Sequence, residues 1–499
     1  MGSGHRVVLS RMTVVGLSKS HAMAAFLGLR HAGQVRIRFI HHSAGRNPHF
    51  STEREIPGPR GLPLVGVIPM LAHDPFGYLV DAARDYGGLV RMRLGPATVY
   101  LVSDPAHVRH ILVDNHANYW KGPILRGIKL IIGDGIFGSD GQLWQRQRRL
   151  MSPAFHRPRL TAMIGVMTDV VEAATVRWND RIVRKTPVDM LEEMVPINIE
   201  IVLRTLFGTS IDYSEIAKLR AASDVIFHHS EKLVFSFFLP MRIPRPGHRH
   251  FITALSVVDE VVDRIIAERR RDPADRGDLL SMLLLAHDDE GTQRAMDDRQ
   301  VRDEVMSILM AGYESTAAAL GWTWYLLSQH PDADARLQTE LDSVLGGRVP
   351  SLQDLPRLVY TRQVISESLR LYPPFPTFFR TSYGRDQLGS YNLPPGAALI
   401  ISPYVTHRLT EHWPDPEEFD PMRFDADHST DRPNEAYYPF GLGRRLCIGA
   451  NLSLLEQQVV VATVAQRFDR EIASGYVLEP HYDIALRPRN GVPMMLTPR

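Results

Sequence analysis

Apolar positions recur at spacings of three and four over most of the chain, and the exceptions mark its other elements. Gly88-Leu89-Val90-Arg91-Met92-Arg93-Leu94 and Thr98-Val99-Tyr100-Leu101-Val102 are short apolar runs on either side of Gly95-Pro96, which predicts two strands and a turn. Just before them, Pro57-Gly58-Pro59-Arg60-Gly61-Leu62-Pro63-Leu64-Val65-Gly66 has no period. Its prolines restrict themselves and their predecessors, so it reads as a rigid, extended entry. From about Thr161 to Arg271 the pattern is helical. The longest helical run, Asp297 to His330, is closed by Pro331 and would span about 50 Å. A shorter helix through Ile365 to Tyr372 is stopped by Pro373, and from Ile448 onward Leu452, Leu455, Val459 and Ala462 fall on one helical face. The expected fold class is mainly α with small β-sheets.

Composition is that of an ordinary globular protein, with 44% apolar and 23% charged residues and a formal net charge of +1. The near-neutrality hides an uneven start. Residues 1–54 hold Arg6, Arg11, Lys19, Arg30, Arg36, Arg38 and Arg46 before the first acid, Glu53; without those seven cations, 50 basic residues face 56 acidic ones. That excludes a nucleic-acid footprint on the body of the chain. Arg11, Lys19 and His21 interrupt the leader's apolar stretches, so none reaches the roughly 18–20 residues of a transmembrane span. Three readings of the leader stay open: a disordered extension, a peripheral membrane-binding segment, or a mitochondrial-type transit peptide. The single cysteine fits a reducing cytosol, and the expected location is cytoplasmic, or mitochondrial if the leader is a transit peptide.

That cysteine, Cys447, lies in Phe440-Gly441-Leu442-Gly443-Arg444-Arg445-Leu446-Cys447-Ile448-Gly449. One thiol can form no internal disulfide and no multi-sulfur metal site. It can be a buried structural residue, a nucleophile, or the one thiolate ligand of a cofactor. Gly441, Gly443 and Gly449 clear space around the sulfur for something flat, and a following helix N-terminus favours an anionic sulfur. No histidine stands in the stretch to serve a nucleophile as base. Within the long helical run, Ala311-Gly312-Tyr313-Glu314-Ser315-Thr316 places a glycine mid-helix at a cost of about 1 kcal/mol, which asks for a close approach.

The ten-residue run resembles the haem-binding signature F-x-x-G-x-R-x-C-x-G of the cytochrome P450 family at all five fixed positions. The resemblance covers residues 56–499 with further motifs in order, and it implies the cytochrome P450 fold: one domain, residues 55–499, around a buried b-type haem with Cys447 as its axial thiolate. Ala311 to Thr316 is similar to the family's A-G-x-[DE]-T-[TS], with Ser315 in the usual threonine position. Glu314 and Ser315 would organise water and proton delivery, Thr316 being turned about 100° away. Trp144 and Arg148 resemble the family's W-x-x-x-R pair on a haem propionate, and Arg380 and His407 would also reach propionates. Gly312, Phe440, Arg445 and Gly449 would complete the haem contacts. Glu367, Arg370 and Arg423 resemble the buried charge network that locks the cysteine region. Ile128, Ala311, Phe375, Thr377, Phe378 and Ile484 would line the substrate chamber. Phe227, Phe235, Phe237 and Phe238 would belong to a mobile cover.

The activity implied is monooxygenation: one oxygen atom of O2 enters a lipophilic substrate such as a fatty acid, terpenoid, steroid or polyketide. Since no flavin or iron–sulfur segment is left in the chain, electrons would come from a separate ferredoxin with its reductase or from a flavoprotein reductase, with Arg444 a steering charge. Arg126 or Lys129 would anchor a substrate carboxylate only if not solvated. Two alternatives remain: a peroxygenase or peroxide isomerase working without a reductase, and a non-catalytic haem sensor.

Overall fold

The computed structural model describes residues 55–122, 127–235, 247–272, 274–285, 296–428, 432–482 and 485–499. The leader, Arg126, Phe237, Phe238 and Ile484 lie outside them.

Ten helices of eleven residues or more carry the described fold: α1 (Pro75–Tyr86), α2 (Gly141–Met151), α3 (Ile164–Arg177), α4 (Met190–Leu206), α5 (Tyr213–Phe235), α6 (His248–Arg271), α7 (Asp298–Gln329), α8 (Pro331–Val344), α9 (Val359–Leu371) and α10 (Ala450–Ala465). The longest, α7, begins where the Asp297 carboxylate accepts the Gln300 N–H, and ends at His330, whose successor Pro331 opens α8. Residues all round α7 are buried, Trp322 and Trp324 fully, because the other helices enclose it.

The predicted strand pair is β1 (Leu89–Leu94) and β2 (Ala97–Val102), antiparallel with Leu89 opposite Val102. With β3 (Tyr119–Trp120), β5 (Phe378–Ser382) and β8 (Ala398–Ile401) they form a five-stranded sheet in the order β1-β2-β8-β5-β3, in which only β2 and β8 run parallel. A second sheet orders β4 (Val188–Asp189), β12 (Pro493–Pro498) and β9 (Phe468–Ile472) as β4-β12-β9. Two hairpins complete the set, β6 (Asp386–Leu388) with β7 (Tyr391–Leu393), and β10 (Pro480–Tyr482) with β11 (Leu486–Pro488). The expected mainly helical class with small sheets is observed.

One apolar core runs through the helices, and two smaller ones flank the five-stranded sheet. Between the helical core and the sheet lies the Cys447 loop. Its position is set from α9, where Glu367 and Arg370 are fully buried and three residues apart. Arg370 gives both ends of its fork to Glu367 (2.6 and 2.7 Å) and its remaining N–H groups to the carbonyls of His407, Pro416 and Glu418. Arg423 Nε lies 3.5 Å from Glu367 Oε1, and its other nitrogens donate to Pro414 O and Asp415 O. A fully satisfied fork of this kind fixes several chain segments at one point.

Candidate active site

Cys447 precedes α10, with its N–H bonded to Phe440 O at 2.9 Å. Protein surrounds the sulfur, yet the residue is exposed; the surface it exposes is the wall of an internal cavity of about 280 Å³. Burial pushes the thiol up, opposed by the N–H groups of Gly449 and Ala450 and the charge of Arg148. The loop's glycines do different things. A side chain on Gly449 would point at Cys447 Sγ, whereas one on Gly443, at φ +67°, would stand 2.3 Å from Leu112 O. Gly443 is therefore required by chain packing, not by space for a flat ligand.

On the opposite wall stand Ala311, Gly312, Ser315 and Thr316 of α7. Gly312 faces the cavity, but the tight neighbour of an added Cβ would be Val202 of α4, at 3.1 Å. The Ser315 hydroxyl donates to Ala311 O (3.0 Å); that of Thr316 donates to Gly312 O and contacts Ser453 Oγ (3.0 Å). Glu314 borders a smaller adjoining cavity, shared with Ser315, Phe375 and Ala485, and its Oε1 lies 3.3 Å from Arg487 Nη1. Ile128, Phe375, Thr377 and Phe378 line the main cavity as expected, Phe227 lines the smaller one, and Ile484 lies outside the described residues.

At one end the cavity wall is cationic. Arg445 pairs with Asp140 (2.6 Å) and stacks on Trp144, its carbon centre 4.4 Å from the ring centroid, while its Nη1 is buried without a partner. Arg380 donates to Phe379 O; burial first, then the charge of Arg445, lowers it to about 10. Lys121 Nζ donates to the carbonyls of Ile136, Phe137 and Ser139, and burial, with Arg445 and Arg380 nearby, lowers it to about 7. Arg148 also lines the cavity, and its Nη1 donates to Leu446 O of the cysteine loop at 2.9 Å. An unpartnered buried guanidinium nitrogen and three crowded cations facing an apolar void fit the two carboxylates of a haem.

His407 does not join them. It is fully buried, outside the cavity lining, and both ring nitrogens are used: Nε2 accepts the Tyr438 N–H (3.0 Å), which leaves Nδ1–H to donate to Arg370 O (3.1 Å). The expectation of a propionate contact is corrected, because the ring is turned into the Glu367–Arg370 cluster. Lys129 pairs with Asp134 at 2.8 Å, both half exposed, and so is a solvated loop charge. Several residues of the site went unremarked in the sequence, among them Lys121, Asp140 and Glu456, whose buried Oε1 lacks a partner on the cavity wall. Only Glu456 carried a local signal, an acid within the apolar run of α10.

Comparison with known proteins agrees with this arrangement. The family model described as Cytochrome P450 matches residues 56–492. Cyclooctatin synthase of Streptomyces melanosporofaciens is 36% identical over 90% of this chain and 97% of its own length. Cyclooctat-9-en-7-ol 5-monooxygenase of the same organism is 36% identical over 82% of this chain and 88% of its own. Pentalenene oxygenase of Streptomyces avermitilis is 31% identical over 82% and 90%. Among solved structures, the haem domain of cytochrome P450DA superposes with a TM-score of 0.81 at 26% identity, covering 89% of this chain and 98% of that one. The chain belongs to the cytochrome P450 family. It is an oxidoreductase of the haem-thiolate class, whose cofactor is iron protoporphyrin IX held through a cysteine. No helix among the described residues is long and apolar enough to cross a membrane.

Proposed function

We propose that this protein is a monooxygenase that hydroxylates a cyclised terpenoid, with Cys447 as the axial ligand and electrons from a separate reductase or ferredoxin. The observation that carries this reading is the composition of the cavity between Cys447 and α7. Beside that cationic end its walls carry the apolar side chains of Ile128, Val202, Ile308 and Phe375. Among the described residues the cavity lining holds no cation beyond Lys121, Arg148, Arg380 and Arg445, and relatives named as a cyclooctat-9-en-7-ol 5-monooxygenase and a pentalenene oxygenase support the same substrate class. Such a hydrocarbon would be supplied by a cyclisation reaction.

Arg380 and Arg445 would hold the haem carboxylates, with the charge of Lys121 nearby, and Arg148 with the α10 N-terminus would keep the Cys447 sulfur anionic. When bound, haem supplies the binding and reductive activation of dioxygen. The apolar walls keep substrate close and water out. Ser315 Oγ, released from Ala311 O by rotation, passes a proton inward, and the Glu314 carboxyl resupplies it through water. The proximal surface would receive the redox partner near Arg444.

The test is a spectral titration of the ferric protein with polycyclic terpenes and their alcohols beside fatty acids and macrolides, followed by turnover with NAD(P)H and a reductase system. The expected results are a low- to high-spin shift with terpenes and a product one oxygen heavier. Turnover on peroxide alone, with no response to a reductase, would favour the peroxygenase alternative. A reduced carbonyl spectrum without thiolate character would remove Cys447 from its role.

A further inference from the structure

Part of the chamber wall is a strap, residues 134–139, that belongs to no helix or strand and brings Ile136 and Phe137 to the cavity. Phe137 also borders the smaller cavity, with its ring 6.3 Å from that of Phe375. Buried backbone outside regular structure must find its hydrogen bonds elsewhere. The N–H groups of Gly138 and Ser139 close a turn on Gly135 O, and side chains from three elements supply the rest. From α7, Asp303 Oδ2 accepts the Asp134 N–H (2.9 Å) and Glu304 Oε2 accepts the Ile136 N–H (2.8 Å). Gln147 of α2 donates to Asp134 O (2.7 Å), and Lys121, one residue past β3, donates to the carbonyls of Ile136, Phe137 and Ser139. Ile136 is thus gripped on both sides, its N–H by the central helix and its carbonyl by Lys121. The strap lies directly on α7: a side chain on Gly135 would stand 2.1 Å from Ser307 Oγ and 2.3 Å from Asp303 O.

We infer that Glu304 is a positioning residue for the substrate chamber, which sets where Ile136 and Phe137 stand in the wall by accepting the Ile136 N–H. Glu304 is fully buried and is absent from the lining of both cavities, so it acts through the strap. Burial raises its carboxyl to about 8, as does the charge of Asp303, against the Ile136 N–H and the charge of Lys121. The acceptor is therefore held toward its neutral form, and what the strap needs from it is an oxygen at the right reach. Deprived of that oxygen, the Ile136 N–H would be an unpaired donor in a dry interior and could be satisfied only by leaving α7, taking the wall with it. That this wall meets a lipophilic substrate rests on the monooxygenase reading; the hold of α7 on the strap does not.

The hold is measured without substrate or reductase, as amide hydrogen exchange across residues 134–139 in the haem-loaded full-length protein. Glu304→Ala removes the acceptor, and Glu304→Asp keeps the acid but shortens its reach; each should speed exchange there by about three- to ten-fold. Glu304→Gln keeps both length and acceptor oxygen and should stay within about two-fold of the wild type. The same ranking should appear in the spectral dissociation constant of a terpene that shifts the wild-type protein, with the reduced carbonyl spectrum unchanged. A residue that only stabilised the fold would speed exchange throughout the chain and give no such ranking. Wild-type exchange in Glu304→Asp, or exchange in Glu304→Gln as fast as in Glu304→Ala, would overturn the inference. If Glu304→Ala does not load haem, the Asp and Gln variants still decide the matter. Failure of the monooxygenase reading shows separately, as a wild-type spectrum that no terpene shifts and as absent product.

Discussion

Ser315 lacks the methyl group of the threonine more usual at its position, and that methyl normally restricts the rotamer of the hydroxyl. In this chain the hydroxyl rests on Ala311 O and must rotate to serve the chamber. Ser315→Thr should therefore retain turnover, whereas Ser315→Ala should lower product formation by on the order of 10²-fold and divert electrons to peroxide, read as product per NAD(P)H consumed. His407 invites a different measurement. Burial pushes its pKa well below the ordinary 6.5, so the folded protein holds it neutral. Between the folded and unfolded values the unfolded chain binds more protons. The stability contributed by His407 is therefore complete above about pH 6.5 and is lost below it, by up to about 1.4 kcal/mol per pH unit. Urea denaturation at pH 7.5, 6.5 and 5.5 should show this slope, and His407→Gln should flatten it.

The helix α9 shows how one element serves a site it does not touch with its charges. Glu367 and Arg370 sit within the fold and fasten the segments around His407, Pro416 and Asp420 that lead to the cysteine loop. Glu367→Gln leaves Arg370 buried with its countercharge removed, at an expected cost of about 3–5 kcal/mol. Equilibrium denaturation and haem content should fall together; loss of activity with normal stability and full haem would contradict this role. α7 shows what a sequence can disclose about an element and where that stops. Its ends, its length and its Gly312 were legible because they depend on local chemistry. That Gly312 packs against Val202 was not, since Val202 lies more than a hundred residues away. The same holds for Arg487 against Glu314 and for Lys121 against Arg380, which only the folded chain brings together. His407 was misplaced for a related reason: a residue's position in a motif does not fix the direction of its ring.

For the whole molecule, the thiolate loop lies under a surface that carries the exposed Arg444. Arg444→Glu should slow reduction by the redox partner several-fold at low salt while leaving the substrate spectral shift unchanged, because a rim charge acts mainly on encounter. Equal reduction rates would move the docking site elsewhere. The cationic end of the cavity has a consequence for assembly. Lowered to about 7, Lys121 gives up its proton more readily than an ordinary lysine before any anion arrives. Carboxylates placed beside it favour the charged form and raise its pKa, so above pH 7 loading with haem would draw a proton from solution. Haem affinity should then weaken as pH rises above 7, and calorimetric heats of loading should differ between buffers of unlike ionisation enthalpy. Lys121→Arg, charged at every such pH, should abolish both effects. Loading of the enzyme with its cofactor would thus respond to the proton concentration of the compartment in which the two meet.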